Sequence, residues 1–324
     1  MPDETPSQRH DVLDEVRGFA VLAMFAVNIQ LFALVWIAAD IPGLQGDFNS
    51  WGDRAVWLGT QTFISQAPLA LVAMIVVAAN GMTLRGLWGL GLGLIGFTGL
   101  MLLAGSAIGA LIGDSITAAG AMGFNPEAIA DIEALYRTGF MARLGYNMSI
   151  ALQSEMMQIV FMSGRIAGCL LLGMAGLRSG FLTGTWPARR YGWIAAMALA
   201  LGVLVCLAGA WNAMASGFSP AAVLQNRVAQ YFGSLALALG YAAGFMLAAK
   251  LDLARAARSA LAAVGRMPIS NYFAQTLLMT LLFVGFPGLG QFGQIDRTGL
   301  ALILVSVWVA QVFGSIFWLQ RYRG

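Results

Sequence analysis

The chain has 324 residues, of which 59% are hydrophobic and only 10% charged, against about 25% charged in an ordinary soluble domain. The deficit runs through almost the whole length, which excludes a soluble domain on a single anchor and predicts one integral membrane domain over residues 1–324. The net charge of +3 comes from scattered basic residues with no Lys/Arg run, so the expected partner is the lipid bilayer and no nucleic acid is expected.

In chain order, the segment MPDETPSQRHDVLDEVRG is acidic and polar and lacks the basic region of a signal peptide, so the first span is expected to be retained. A spanning helix needs about 20 mostly apolar residues. Eight stretches qualify, at 16–39, 66–84, 86–113, 152–177, 191–216, 229–249, 267–289 and 299–319. The expectation is an all-α, multi-pass transmembrane bundle of about eight spans, with 54–65 as an interfacial piece leading into the second. Twelve Lys and Arg residues then fall on the side of the two tails and five on the other, with Arg165 inside a span. That asymmetry predicts that both termini are cytoplasmic.

In the first span, Asp14, Arg17, Val21, Met24 and Asn28 follow a 3-4-3-4 spacing and share one helical face. Asp14 and Arg17 are placed to pair one turn apart, and Asn28 lies ~16 Å deeper than Arg17. The third span is glycine-dense, and the pairs Gly89/Gly93, Gly105/Gly109 and Gly109/Gly113 predict close helix packing. Its "GLGLG" lacks the preceding strand that a nucleotide-binding loop needs. Between 126 and 145, Ile129, Ile132, Tyr136 and Phe140 form one stripe, with Pro126 in the first turn. This predicts an amphipathic helix on the outer membrane surface, or a re-entrant lid over an outer cavity.

Charged residues inside hydrocarbon are costly and need a reason. The fourth span carries Glu155 near its outer end and Arg165 near mid-depth, ~15 Å apart along the axis and too far to pair directly. Arg165 is therefore a candidate for ligand contact, or for a structural pair with another group. The seventh span opens with Arg266, and Asn271 and Gln275 continue inward on one face. Spans one and seven thus share a pattern of arginine at the cytoplasmic mouth and amides below. Facing each other, they form a pocket open to the cytosol that suits an anionic ligand with a polar or carbonyl-bearing tail. On the other reading the arginines set topology and the amides join helices.

Chemistry is constrained by composition. His10 in the tail is the only histidine, so neither a zinc cluster nor a Ser–His nucleophile is expected in the membrane. No metal and no bound cofactor are predicted. A buried base has to be a carboxylate, Glu155, Asp40 or Asp14. The loop "DFNSWGD" at 47–53 lacks the twelfth-position acid of a calcium loop. Cys169 and Cys206 sit in apolar runs and are expected to pack as core residues.

Three stretches taken together carry a resemblance. "LDEVRGFAVLAMFAVNI" (13–29), "LLLGMAGLRSGFLTG" (170–184) and "GRMPISNYFAQT" (265–276) resemble, in order, motifs of the YeiB family of bacterial inner-membrane proteins. Asp14, Arg17, Gly18, Asn28, Gly265, Arg266, Asn271, Tyr272 and Gln275 fall on motif positions. The resemblance implies a multi-pass protein of the bacterial inner membrane, distantly similar to transmembrane acyltransferases that take an acyl group from cytosolic acyl-coenzyme A. It implies acyl-CoA as a substrate. Related acyltransferases carry a histidine about eleven residues beyond the position of Asn28; here Asp40 stands nearest and is the expected substitute base. Three functional readings follow: an acyltransferase-like protein, a carrier of a small anionic or acyl-bearing metabolite, and a non-catalytic partner-binding member.

Overall fold

The structure, a computed structural model, describes residues 6–46, 48–64, 70, 82–112 and 126–322; the side chains of 6–11, 109–112, 126 and 150–162 lie outside the description. Hydrocarbon offers backbone groups no partner but each other, so long apolar runs fold as helices. In chain order these are α1 (Pro6–Ala33), α2 (Trp51–Gly59, prolonged by a π turn over Thr60–Ile64), α3 (Leu84–Ile112), α4 (Pro126–Thr138), α5 (Phe140–Arg178), α6 (Ala188–Ala215), α7 (Pro220–Lys250), α8 (Arg255–Gly265), α9 (Pro268–Phe283) and α10 (Arg297–Arg321). No strand occurs among the described residues.

Five stretches among the described residues are long and apolar enough to cross a membrane: Val12–Ala33, Leu84–Ile108, Ala188–Ala215, Pro220–Lys250 and Arg297–Arg321. They coincide with five of the eight expected spans. The expected second span lies almost wholly outside the described residues. The fourth falls on α5, a 39-residue helix. The seventh falls on α9, whose 16 residues reach only ~24 Å.

The expected surface helix over 126–145 is broken. α4 stops at Thr138, Gly139 adopts φ +154°, and Phe140 begins α5. The break is clamped by the 284–292 segment: the Gly285 amide donates to the Tyr136 carbonyl at 2.9 Å, and the Phe140 amide donates to the Phe286 carbonyl at 3.0 Å. The α4 stripe also differs from expectation. Ile129, Ile132 and Tyr136 pack on Val35, Ile37 and Phe292, so the stripe covers protein and Phe140 falls on the next helix.

Helix α6 pairs with α7, α3 with α5 and α7, and α1 with α8, α9 and α10. Small residues set the closest crossings. A Cβ on Gly202 would lie 2.8 Å from the Gly233 carbonyl oxygen across the α6–α7 seam, and Cys206 is buried in the same seam. On α3 the Gly89/Gly93 pair is not the packing register, and the pairs with Gly109 and Gly113 lie outside the described residues. Gly91 and Gly99 face α5 and α7, whereas a Cβ on Gly89, Gly93 or Gly105 would meet nothing within 4 Å among the described residues.

Contacts sort into two ends. At one end, Arg178 donates to the Met82 carbonyl, Lys250 to the Gly184 carbonyl, and Arg258 and Arg266 approach the start of α1. At the opposite end, Arg227 pairs with Asp40, Arg297 donates to the Ala38 carbonyl, and Thr298 bonds Asp53. The first is here called the basic end.

Candidate functional site

The two strongest sequence motifs meet at the basic end. α8 is alanine-rich and buries Ala262, Ala263, Val264 and Gly265. It lies on α1 so closely that a Cβ on Gly18 would collide with the Leu261 carbonyl, and one on Gly265 with the Asp14 carbonyl. This backbone approach brings both motif arginines to one carboxylate. Asp14 Oδ1 accepts from Arg17 Nη1 at 2.8 Å, and Asp14 Oδ2 lies 3.7 Å from Arg266 Nε.

Beside this crossing lies a hollow of about 260 Å³ walled by α1, the 182–184 turn, the end of α7 and α8. Four cationic side chains, Lys250, Arg255, Arg258 and Arg266, line it against two carboxylates, Glu15 and Asp252, a surplus of two positive charges. The cations are not equivalent. Arg258 is a pillar: it donates to Glu15 Oε1 at 3.0 Å, Asp252 Oδ1 at 2.9 Å and the Leu253 carbonyl at 2.8 Å. Its side chain and that of Glu15 are 12% and 5% exposed, so the pair is shielded from screening. Arg255 is 80% exposed and only 3.9 Å from Asp252, which leaves its guanidinium open to an incoming anion. Lys250 reaches across the rim to the Gly184 carbonyl at 2.7 Å.

The structure distributes the expected site residues over several places. Arg266 lines the hollow. Arg17 is exposed and paired with Asp14, outside the lining. Asn28 is half-buried further along α1. α9 does pack on α1, but its amides bond elsewhere. Asn271 Nδ2 donates to Ser315 Oγ at 3.1 Å, Gln275 Nε2 to Gln311 Oε1 at 2.8 Å, and Gln311 Nε2 to the Asn271 carbonyl at 2.9 Å. These bonds knit α9 to α10, as the helix-joining alternative expects. Asn271 and Gln275 share one buried stripe of α9 with Met279 and Phe283, which pack with Phe25 and Ile29 of α1.

Asp40 lies past the Ala33 end of α1, and the helix itself rises ~28 Å from Asp14 to that end; Asp40 forms an ion pair of 2.7 Å with Arg227. The side chain of Glu155 lies outside the described residues. Arg165 is 2% exposed. Its Nη2 donates to Ser234 Oγ at 2.6 Å, its guanidinium sits 4.9 Å over the Tyr231 ring, and its Nη1 has no hydrogen-bond partner among the described residues. It faces a buried polar row on α7, where Asn226, Gln230 and Ser234 are spaced one turn apart.

Sequence reasoning missed Lys250, Arg255, Arg258, Glu15 and Asp252 as a group, because 250–266 reads as a connecting loop. The signal was present: Arg255, Arg258, Ser259, Ala262 and Arg266 recur at helical spacing and share the hollow-facing side of α8.

Comparison with known proteins adds family context. Residues 176–324 match the family described as "Protein of unknown function (DUF418)". Over 168 residues the chain is 33% identical to "Uncharacterized protein YeiB" of Escherichia coli (strain K12), and the match covers 49% of this chain and 41% of that relative. The chain thus spans less than half the length of the curated relative. No solved structure matches it. The chain is thus similar to YeiB over about half its length, and its residues 176–324 resemble the DUF418 family.

Proposed function

We propose that this protein is a multi-pass protein of the bacterial inner membrane whose basic end faces the cytosol and binds an anionic, acyl-bearing ligand of the acyl-CoA type. The hollow beside the α1–α8 crossing carries the reading. It holds a surplus of positive charge, with Arg255 exposed and Arg266 beside the motif carboxylate Asp14. The excess of Lys and Arg at that end supports a cytosolic orientation, and the bacterial origin of the relative supports the location.

Acyl transfer is the chemistry that the family resemblance implies. With Asp40 past the opposite end of α1, a transfer mechanism needs the acyl group carried to the far end, or a base nearer the hollow. A carrier reading draws on a specific observation: the buried row Ser234, Gln230 and Asn226, with Arg165 beside it, leads along α7 toward the Arg227–Asp40 pair. Purified protein mixed with acetyl-CoA separates these. Thiol release that vanishes in Asp40→Ala supports transfer. Binding without release, lost in Arg255→Gln with Arg266→Gln, supports a carrier. Absence of binding removes the anionic-ligand reading.

A further inference from the structure

A second cavity of about 280 Å³ lies immediately beneath the basic hollow, between α1, α3, α5 and α7. Leu182 and Met246 line both. The walls of the second are almost wholly apolar, with Leu13, Val16, Ile95 and Ala242 among them. Trp88, Leu92 and Leu239 on its flank are exposed, so the cavity opens sideways into the zone that hydrocarbon occupies. On α1 the division falls within a single turn, since Val12 and Glu15 face the hollow while Leu13 and Val16 face the cavity.

A charged compartment at the helix ends, set directly over an apolar one that opens laterally at membrane depth, has the shape of one lipid molecule in a leaflet. From this we infer that the site seats an anionic membrane lipid, with its headgroup against Lys250, Arg255 and Arg266 and one acyl chain in the cavity below. The inference rests on the anionic-ligand reading of the hollow and names the class of molecule that fills it. The alternative source of the same chemistry is a soluble acyl thioester arriving from the cytosol. The lateral opening favours the bilayer, because a chain already in hydrocarbon enters through Trp88 and Leu92 without crossing water. An apolar cavity of roughly 150 Å³ holds a benzene ring, so one of about 280 Å³ has room for an acyl segment.

The test uses the full chain in nanodiscs of equal phosphatidylglycerol and phosphatidylcholine, with retained lipid read by native mass spectrometry. Phosphatidylglycerol is expected to be retained at least threefold over phosphatidylcholine. Filling the cavity with Ala236→Phe is expected to reduce that retention at least fivefold while binding of acetyl-CoA to the hollow persists. Lys250→Gln with Arg255→Gln is expected to lose both. Equal retention of the two lipids, or retention indifferent to Ala236→Phe, overturns the lipid assignment while persisting acetyl-CoA binding keeps the anionic-ligand reading. A long-chain acyl-CoA held in an Ala236-sensitive way without selective phosphatidylglycerol also overturns it. Loss of binding to every anion removes both readings.

Discussion

Gly18 of α1 and Gly265 of α8 touch backbone to backbone: a Cβ on Gly265 would lie 2.8 Å from the Gly18 nitrogen, and one on Gly18 would lie 3.0 Å from the Gly265 nitrogen. Neither side of the crossing has a flexible side chain to yield. Gly18→Ala and Gly265→Ala should each cost at least the ~1–3 kcal/mol typical of overpacking, seen as a fall in thermal midpoint of the detergent-solubilised protein. Gly244→Ala, where a Cβ meets nothing within 4 Å among the described residues, should leave the midpoint unchanged or slightly raised, since alanine is the better helix former.

The Arg258–Glu15 pair is buried at the hollow's wall, with 12% and 5% of the side chains exposed. Removing Arg258 takes a guanidinium partner from the nearly buried Glu15 carboxylate. Arg258→Met should destabilise by about 3–5 kcal/mol, and adding Glu15→Leu should recover most of the loss. A double-mutant cycle on thermal stability measures the coupling.

The amides of α9 act as glue to α10. Gln275→Leu should cost little stability, with a coupling to Gln311 near the ~0.6 kcal/mol average for interhelical bonds in membranes and no more than ~1.7. Ligand binding at the hollow should be unaffected. A tenfold loss of acetyl-CoA binding in Gln275→Leu would restore the amides to the site.

At the far end, Asp53 ties α2 to α10. Burial raises its pKa, but hydrogen bonds from the Ser50 hydroxyl and from the Thr298 amide and hydroxyl, with the Arg297 charge, outweigh burial and hold the carboxyl below its ordinary value of 3.8. A depressed folded pKa gives stability that is fully present above the unfolded value and lost as pH falls through the folded one. Acid titration of stability from pH 5 downward should therefore show a loss beginning near the ordinary carboxylate value, and Asp53→Asn should flatten that part of the curve.

What the sequence discloses and what it conceals divide along physical lines. The apolar runs at α1, α3, α6, α7 and α10 are legible because hydrocarbon imposes length and composition on each helix separately. The gathering of basic residues at one end is legible for the same reason, and the pairing of Asp14 with Arg17 follows from spacing within one helix. Rotations between helices are not legible. A Cβ on Gly89 or Gly93 would meet nothing within 4 Å among the described residues, while one on Gly91 would lie 3.2 Å from the Gly168 carbonyl oxygen, because a glycine-dense helix offers several packing faces. Asn271 and Gln275 turn to Ser315 and Gln311, partners more than thirty residues away whose register no local pattern specifies. The break at Gly139 is set by a tertiary clamp, Gly285 and Phe286 on the ends of α4 and α5. α8 was hidden because its polar face belongs to the hollow and its short length mimics a loop.

The central claim is that the hollow opens to the cytosol and receives an anion. Ser259 lines the hollow and is exposed, whereas Cys169 and Cys206 are buried. Ser259→Cys should react with a membrane-impermeant maleimide in inverted inner-membrane vesicles but not in intact spheroplasts, and acetyl-CoA should slow the reaction. Labelling from the periplasmic side, or a rate indifferent to the anion, would contradict the account.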